Sequence, residues 1–205
     1  MKYNTIYNDP WTRTKITYPW VYWDNGFTDA EVDKIVAYCE EQGTQLGTIF
    51  GSQEEEVIKQ ARVSNVKFHN RNPDTAWIFD RLNGIIQSIN EQFYGFDLNG
   101  YTSFQYTTYT AEEEGRYDWH TDMELGAAHS SDLEPRKLSL TMLLNDDFEG
   151  GEFQINTGKE ENAVTVPVPK GRIIFFPSFM IHRVKPVTKG TRRSLVVWVI
   201  GPKFI

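Results

Sequence analysis

A chain of 205 residues, 40% apolar and 24% charged, has the length and balance of one soluble globular unit with a real core. A formal net charge of −7, with Lys185 to Arg193 as the one short basic-rich stretch, disfavours a nucleic-acid partner. The single cysteine, Cys39, excludes an intrachain disulfide and fits a reducing compartment.

In chain order, Met1 to Trp20 is polar and carries Asp9, Arg13 and Lys15, without the apolar stretch of a secretion signal. No run approaches a membrane span, so the expectation is a soluble, cytoplasmic protein with no membrane partner. Thr28-Asp29-Ala30-Glu31 is a capping-box pattern that opens a helix. Val32, Ile35, Val36 and Cys39 give it one apolar stripe, and Gly43 can stop it. Cys39 on that stripe reads as a small buried hydrophobe. A second helix begins near Pro73-Asp74-Thr75. Its stripe is Ile78, Leu82, Ile85, Ile86, Ile89 and Phe93, and it ends at Gly95.

From Tyr101 the pattern changes to strands: Thr102 to Thr110, Lys137 to Leu144, Phe153 to Ile155, Val164 to Val168, Arg172 to Phe176, Met180 to Val184 and Ser194 to Ile200. Turns at Glu149 to Glu152, Pro169 to Gly171 and Thr188 to Gly190 separate them. The 13 Phe, 10 Tyr and 6 Trp suit the interior of such a fold. The reading is a mainly β single domain: a helical support region over 1–100, packed on one sheet of a jelly-roll, or double-stranded β-helix, core over 101–202.

Four histidines are present: His69, His120, His129 and His182. In Trp119-His120-Thr121-Asp122 an extended backbone puts the imidazole and the carboxylate on one face, where both can meet one cation. On its own this motif is weak. His182 lies in the apolar strand Met180 to Val184, and two histidines with one carboxylate are the ligand set of non-haem iron sites that keep positions open. Beyond it, Arg192 and Arg193 follow a turn at Gly190. Arginine's planar fork suits a dicarboxylate. Arg192, Ser194, Val196 and Trp198 share one face and Arg193, Leu195 and Val197 the other, and this parity does not choose between the arginines. His69, beside the polar run Asn70 to Pro73, and His129, in a loop, read as ordinary. Glu112 to Glu114 reads as a solvated turn.

The stretches Tyr109…Tyr117-Asp118-Trp119-His120-Thr121-Asp122, Leu144-Asn145-Asp146…Glu149-Gly150-Gly151-Glu152 and His182…Pro186-Val187-Thr188-Lys189-Gly190…Arg192…Trp198 resemble the prolyl 4-hydroxylase-like and PKHD-type Fe(II)- and 2-oxoglutarate-dependent oxygenases. The resemblance covers about Phe104 to Gly201. It implies His120, Asp122 and His182 as metal ligands. It also selects Arg192, which stands where the family carries its anchoring basic residue, with Arg193 as a solvent-side neighbour. Tyr109 takes the place of a cosubstrate-contacting tyrosine. Leu143 departs from relatives with a tyrosine there, which leaves Ser139 or Thr141 as hydroxyl partners for the far carboxylate. The same resemblance turns the polar face of Ser139 and Thr141 towards the active site.

Tyr117, Trp119 and Trp198 are substrate-side candidates, and Gly115 to Trp119 with the Met123 to Pro135 loop would shape substrate entry. The implied cofactors are Fe(II), 2-oxoglutarate and O2, with ascorbate as a further candidate. The implied reaction hydroxylates an unactivated C–H bond, with a peptidyl proline as the namesake substrate, and converts 2-oxoglutarate to succinate and CO2. Rival readings are the same chemistry on a free amino acid, a small metabolite or an alkylated base, or a non-enzymatic β-helix binding module. Zn(II) or Mn(II) could use the same ligands. Oligomeric state stays open.

Overall fold

The computed structural model describes residues 18–47, 60–123 and 134–203. The first helix, α1 (Asp29–Glu41), opens on the expected capping box: the Thr28 hydroxyl accepts from the Glu31 amide, and the Glu31 carboxylate accepts from the Thr28 amide. The second, α2 (Ala76–Ile89), runs into one π-helical stretch over Asn90–Tyr94 and stops at Gly95, whose φ of 63° is the left-handed region that glycine enters freely. Both apolar stripes are buried apart from Val36 and Phe93, which are partly buried.

The strands are β1 (Val21–Trp23), β2 (Gln45–Leu46), β3 (Arg62–Val63), β4 (Asn65–Asn70), β5 (Ser103–Thr110), β6 (Arg116–His120), β7 (Arg136–Leu143), β8 (Glu149–Gly150), β9 (Phe153–Asn156), β10 (Ala163–Thr165), β11 (Ile173–Pro177), β12 (Ile181–Val184), β13 (Val187–Lys189) and β14 (Thr191–Ile200). Seven form a major sheet in the order β1-β11-β7-β14-β5-β4-β2, and five a minor sheet, β10-β9-β12-β6-β3. β13 and β8 make a separate ribbon. All pairings are antiparallel. The expected mainly β double-stranded β-helix with helices on one sheet is the architecture observed.

Alternation along the major sheet decides what each face meets. Phe104, Tyr106, Leu138, Leu140, Met142, Phe175, Leu195 and Val197 pack with the α1 and α2 stripes in one apolar core. Their sequence neighbours point the other way, into a second core that includes Tyr109, Phe153, Ile155, Ile174, Phe176 and Val184. Leu82 is fully buried in the helical core. Leu82→Ala is expected to destabilise by about 2–5 kcal/mol, read as a lowered denaturation midpoint at constant slope.

Two expectations need correction. Residues 1–100 are not only helical support, because β1 and β4 extend the major sheet and β3 the minor one. Asn65–Asn70 is easily missed: its residues are mostly polar, and the ladder to β5 holds it in place. The strand expected over Val164 to Val168 is only Ala163–Thr165, since Pro167 and Pro169 have no amide for the ladder. Among the described residues no helix is long and apolar enough to cross a membrane.

Candidate metal centre and anion pocket

β12 and β6 are neighbours in the minor sheet, and their register sets His182 opposite His120. The His120 Nδ1 lies 2.7 Å from the Asp118 carbonyl, and the His182 Nδ1 lies 2.9 Å from that of Met180. An imidazole that donates from Nδ1 presents the lone pair of Nε2. Both Nε2 atoms meet Asp122, at 3.8 Å from Oδ1 for His120 and 3.6 Å from Oδ2 for His182. One ligand atom from each of the three residues lies within 4.8 Å of the others, so together they could hold one metal ion.

The local charges fit such an ion. Burial, helped by the neighbouring His182, pushes His120 down to about 3, so it is neutral at ordinary pH. Burial works to raise Asp122, but the facing imidazoles of His182 and His120 and the Ser139 hydroxyl outweigh it and hold the carboxyl below its usual range. Neutral imidazole and ionised carboxylate are the forms that bind metal. Acid opposes the arrangement. Between an ordinary imidazole value of 6.5 and about 3, the unfolded chain binds a proton at His120 that the folded site does not, and stability falls with pH across that window.

An irregularity between His182 and Val184 sets Tyr117, not Asp118, opposite Val184. The added residue in β6 brings Tyr117 onto the face of His120, where the rings stack at 3.5 Å and 14°. Burial lifts the Tyr117 phenol to about 12, so it stays protonated and packs. Trp119 is engaged by Arg183, 4.2 Å over its ring. Trp198 faces inward opposite Ser139, with Arg136 4.3 Å over its ring and Phe68 6.3 Å away. The Trp198 Nε1 is buried without a hydrogen-bond partner among the described residues.

The two arginines separate cleanly. Arg193 turns to the helical side and donates to Glu40 of α1 at 2.9 Å, so it is not merely a solvent-side neighbour. Arg192 is 2% exposed and donates to the Ser194 hydroxyl at 3.2 Å. Tyr109 is its partner across the β5–β14 ladder, with the guanidinium 5.6 Å from the ring. No carboxylate among the described residues pairs with Arg192. It lines a pocket with Leu143, Phe148, Gly151, Phe153 and Val166. Glu152 borders the same pocket but pairs with Lys185 at 3.5 Å. A buried cation without a counter-ion is costly, and a bound anion would relieve that cost.

Comparison with known proteins agrees with this geometry. The description of the 2OG-Fe(II) oxygenase superfamily matches residues 104–200, which contain the histidine pair, Asp122 and Arg192. Over this part, a little under half of its length, the chain is similar to the 2OG-Fe(II) oxygenase superfamily. A PKHD-type hydroxylase of Synechococcus sp. (strain CC9311) is 37% identical over 90 residues, 43% of this chain and 38% of that protein. The chain thus spans little more than a third of that relative's length. The fold matches a Pseudomonas putida prolyl-4-hydroxylase at a TM-score of 0.70 and 16% identity, covering 91% of this chain and 95% of that one. A Trichoplax adhaerens prolyl hydroxylase, solved with a hypoxia inducible factor oxygen degradation domain peptide, matches at 0.70 and 15%, covering 89% and 83%.

Within the matched region, Ser139 and Thr141 are both buried. The Ser139 hydroxyl oxygen, however, lies 2.8 Å from that of Ser178, and the hydroxyl beside Arg192 is that of Ser194. Thr141 lies between them, paired with Ile174 and Val196. Sequence reading missed Ser194 although it shares the Arg192 face. It also missed Ser178 and the role of Gly151, where an added Cβ would lie 2.9 Å from the Arg192 Cδ. His69 is in β4, stacked on Phe104 at 5.0 Å, and is not part of the site. His129 and most of the Met123 to Pro135 loop lie outside the described residues.

Proposed function

We propose that this protein is an Fe(II)- and 2-oxoglutarate-dependent oxygenase that hydroxylates an unactivated C–H bond, with a prolyl residue of a peptide as substrate. The observation that carries the reading is the pairing of two sites: three convergent ligands, and a buried Arg192 that no carboxylate among the described residues pairs with. Ferrous iron, when bound, would supply O2 activation coupled to conversion of 2-oxoglutarate to succinate and CO2. His120 and His182 would bind it through Nε2 and Asp122 through its carboxylate, with coordination positions left open. Arg192 would grip the far carboxylate of 2-oxoglutarate in a two-pronged, charge-assisted contact, assisted by Ser194 and by the Tyr109 hydroxyl. Phe153 and Val166 would keep water from that end.

Tyr117, stacked on His120, and Trp198, with Arg136 over its ring, would meet the substrate, with Gly115 to Trp119 bordering its entry. The peptide assignment is supported by the peptide-bound structural neighbour. The single, buried Cys39 fits a reducing compartment such as the cytoplasm.

The test is anaerobic addition of Fe(II) and 2-oxoglutarate. A weak visible charge-transfer band and slow succinate release on admitting air are expected, and folded protein that gives neither overturns the reading. Prolyl peptides should then stimulate succinate release. Stimulation only by free amino acids or small metabolites would keep the chemistry and replace the substrate.

Gly151 offers a finer check. A side chain at its φ of 66° is strained, and the Cβ would press on the Arg192 stem. Gly151→Ala is expected to raise the KM for 2-oxoglutarate while the affinity for Fe(II) is unchanged.

A further inference from the structure

His120 needs a fixed ring as well as a fixed backbone if its Nε2 is to face Asp122 and His182. Register sets the backbone opposite His182, and the Asp118 carbonyl, 2.7 Å from Nδ1, sets which nitrogen points away from the site. One hydrogen bond at Nδ1 still leaves the imidazole able to tilt about it.

The Tyr117 ring lies parallel to that imidazole, with centroids 3.5 Å apart and planes 14° apart. Two rings left to themselves prefer an offset or an edge-to-face arrangement, because like faces of their quadrupoles repel. Full overlap therefore needs a third group to hold it, and Arg62 is placed to do so. Arg62 and Tyr117 are partners in the β3–β6 ladder, so their side chains leave the same face of the sheet. The guanidinium carbon lies over the Tyr117 ring, 4.7 Å from its centroid. A parallel ring at 3.5 Å fills one face of the phenol, which leaves the other to the guanidinium. A cation over a phenol face is attracted to it, more so away from water.

Arg62 is itself held. It is buried, and its Nε donates to the buried Ser64 hydroxyl at 2.7 Å. The Gly47 amide donates to the Ser64 carbonyl at 2.7 Å, and Gly47 closes against the pair: an added Cβ would lie 2.8 Å from the Arg62 Nε and 2.6 Å from the Ser64 Oγ.

We propose that Arg62, seated on Ser64 and Gly47, clamps the Tyr117 ring against His120 and so fixes the tilt of this imidazole for the metal, which makes Arg62 and Tyr117 positioning residues. The inference rests on the metal reading above. Outer groups that orient a metal-ligating histidine typically change metal affinity by about 10- to 100-fold. The charge of Arg62 works the other way, since a guanidinium repels a metal cation. A role through charge alone and a role through packing therefore predict opposite signs when Arg62 is replaced.

The experiment titrates Co(II), a visible-absorbing stand-in for Fe(II), into metal-free protein and reads the affinity and the d–d band. Wild-type protein that does not bind Co(II) would sink the metal reading itself. If it binds, Tyr117→Leu should bind about 10- to 100-fold more weakly with an altered band, and Tyr117→Phe, which keeps the ring, should stay near wild type. Arg62→Met, which keeps a long stem without the planar cation, should give a smaller loss of the same sign. Gly47→Ala should also weaken binding, by pushing on Arg62 from outside the metal site. The Arg62→Met and Tyr117→Leu double variant should be no weaker than Tyr117→Leu alone, because Arg62 acts through Tyr117. A folded Tyr117→Leu with wild-type affinity and band, an Arg62→Met that binds Co(II) as well as or better than wild type, or losses that simply add would overturn the clamp. Should Tyr117→Leu fail to fold, Arg62→Met decides: weakened Co(II) binding supports the clamp, and unchanged or tighter binding refutes it.

Discussion

Arg192→Ala is expected to raise the 2-oxoglutarate requirement by about 30-fold to several-thousand-fold, the equivalent of the ~2–5 kcal/mol lost when one member of a buried charge pair is removed. Arg193→Ala, one residue along, should change that requirement by less than about 3-fold. The contrast follows from burial and partners. Arg192 is 2% exposed with a serine hydroxyl as its neighbour, whereas Arg193 already has Glu40 at 2.9 Å.

Stability should move the opposite way. The Arg193–Glu40 pair is partly exposed, so its loss should cost no more than about 1 kcal/mol. Arg192→Leu removes a cation that burial disfavours, and ligand-free protein should melt no lower than wild type. Thermal shift with and without 2-oxoglutarate measures both, since the ligand raises Tm only in the variant that still binds it. Equal KM effects from the two arginines would assign the anchor wrongly.

Asp122→Ala should remove metal binding and turnover together. Loss of a direct ligand should exceed the about 10- to 100-fold typical of residues one bond removed. Circular dichroism should be unchanged, because Asp122 lies outside the β6 ladder and makes its backbone bonds to Ser178 through its own amide. The measurement is Fe(II) or Co(II) affinity alongside succinate release. A variant that binds metal as wild type does would remove Asp122 from the ligand set.

Much of this could be read before the structure, and for identifiable reasons. The α1 capping box and both helix stripes are local patterns, and local patterns survive folding. The His120, Asp122 and His182 set was legible through its residue types and the resemblance. The stated geometric reason was only half right, since an extended i, i+2 relation does not hold Asp122 in place: Ser178 does. Ser178 is a small residue far along the chain, and nothing in its neighbourhood advertises the contact.

The arginine choice was also beyond periodicity. Both faces of β14 read as apolar, and only the position of α1, which brings Glu40 to Arg193, distinguishes them. β4 escaped notice because Asn65, Lys67, His69 and Asn70 look like loop residues until β5 is beside them. The resemblance turned Ser139 towards the site, but facing cannot say how far along a strand a hydroxyl lies from its target, and the hydroxyl that meets Arg192 is that of Ser194.

The pairing of His182 directly across from His120 has a practical outcome. The spacing of the two nitrogen donors is a property of the sheet, set by backbone pairing. A chelator should therefore strip the protein to a folded, dormant form that revives on adding ferrous salt, without the collapse seen in domains whose metal is their only scaffold. Such a polypeptide could outlast many cycles of iron loss and reloading.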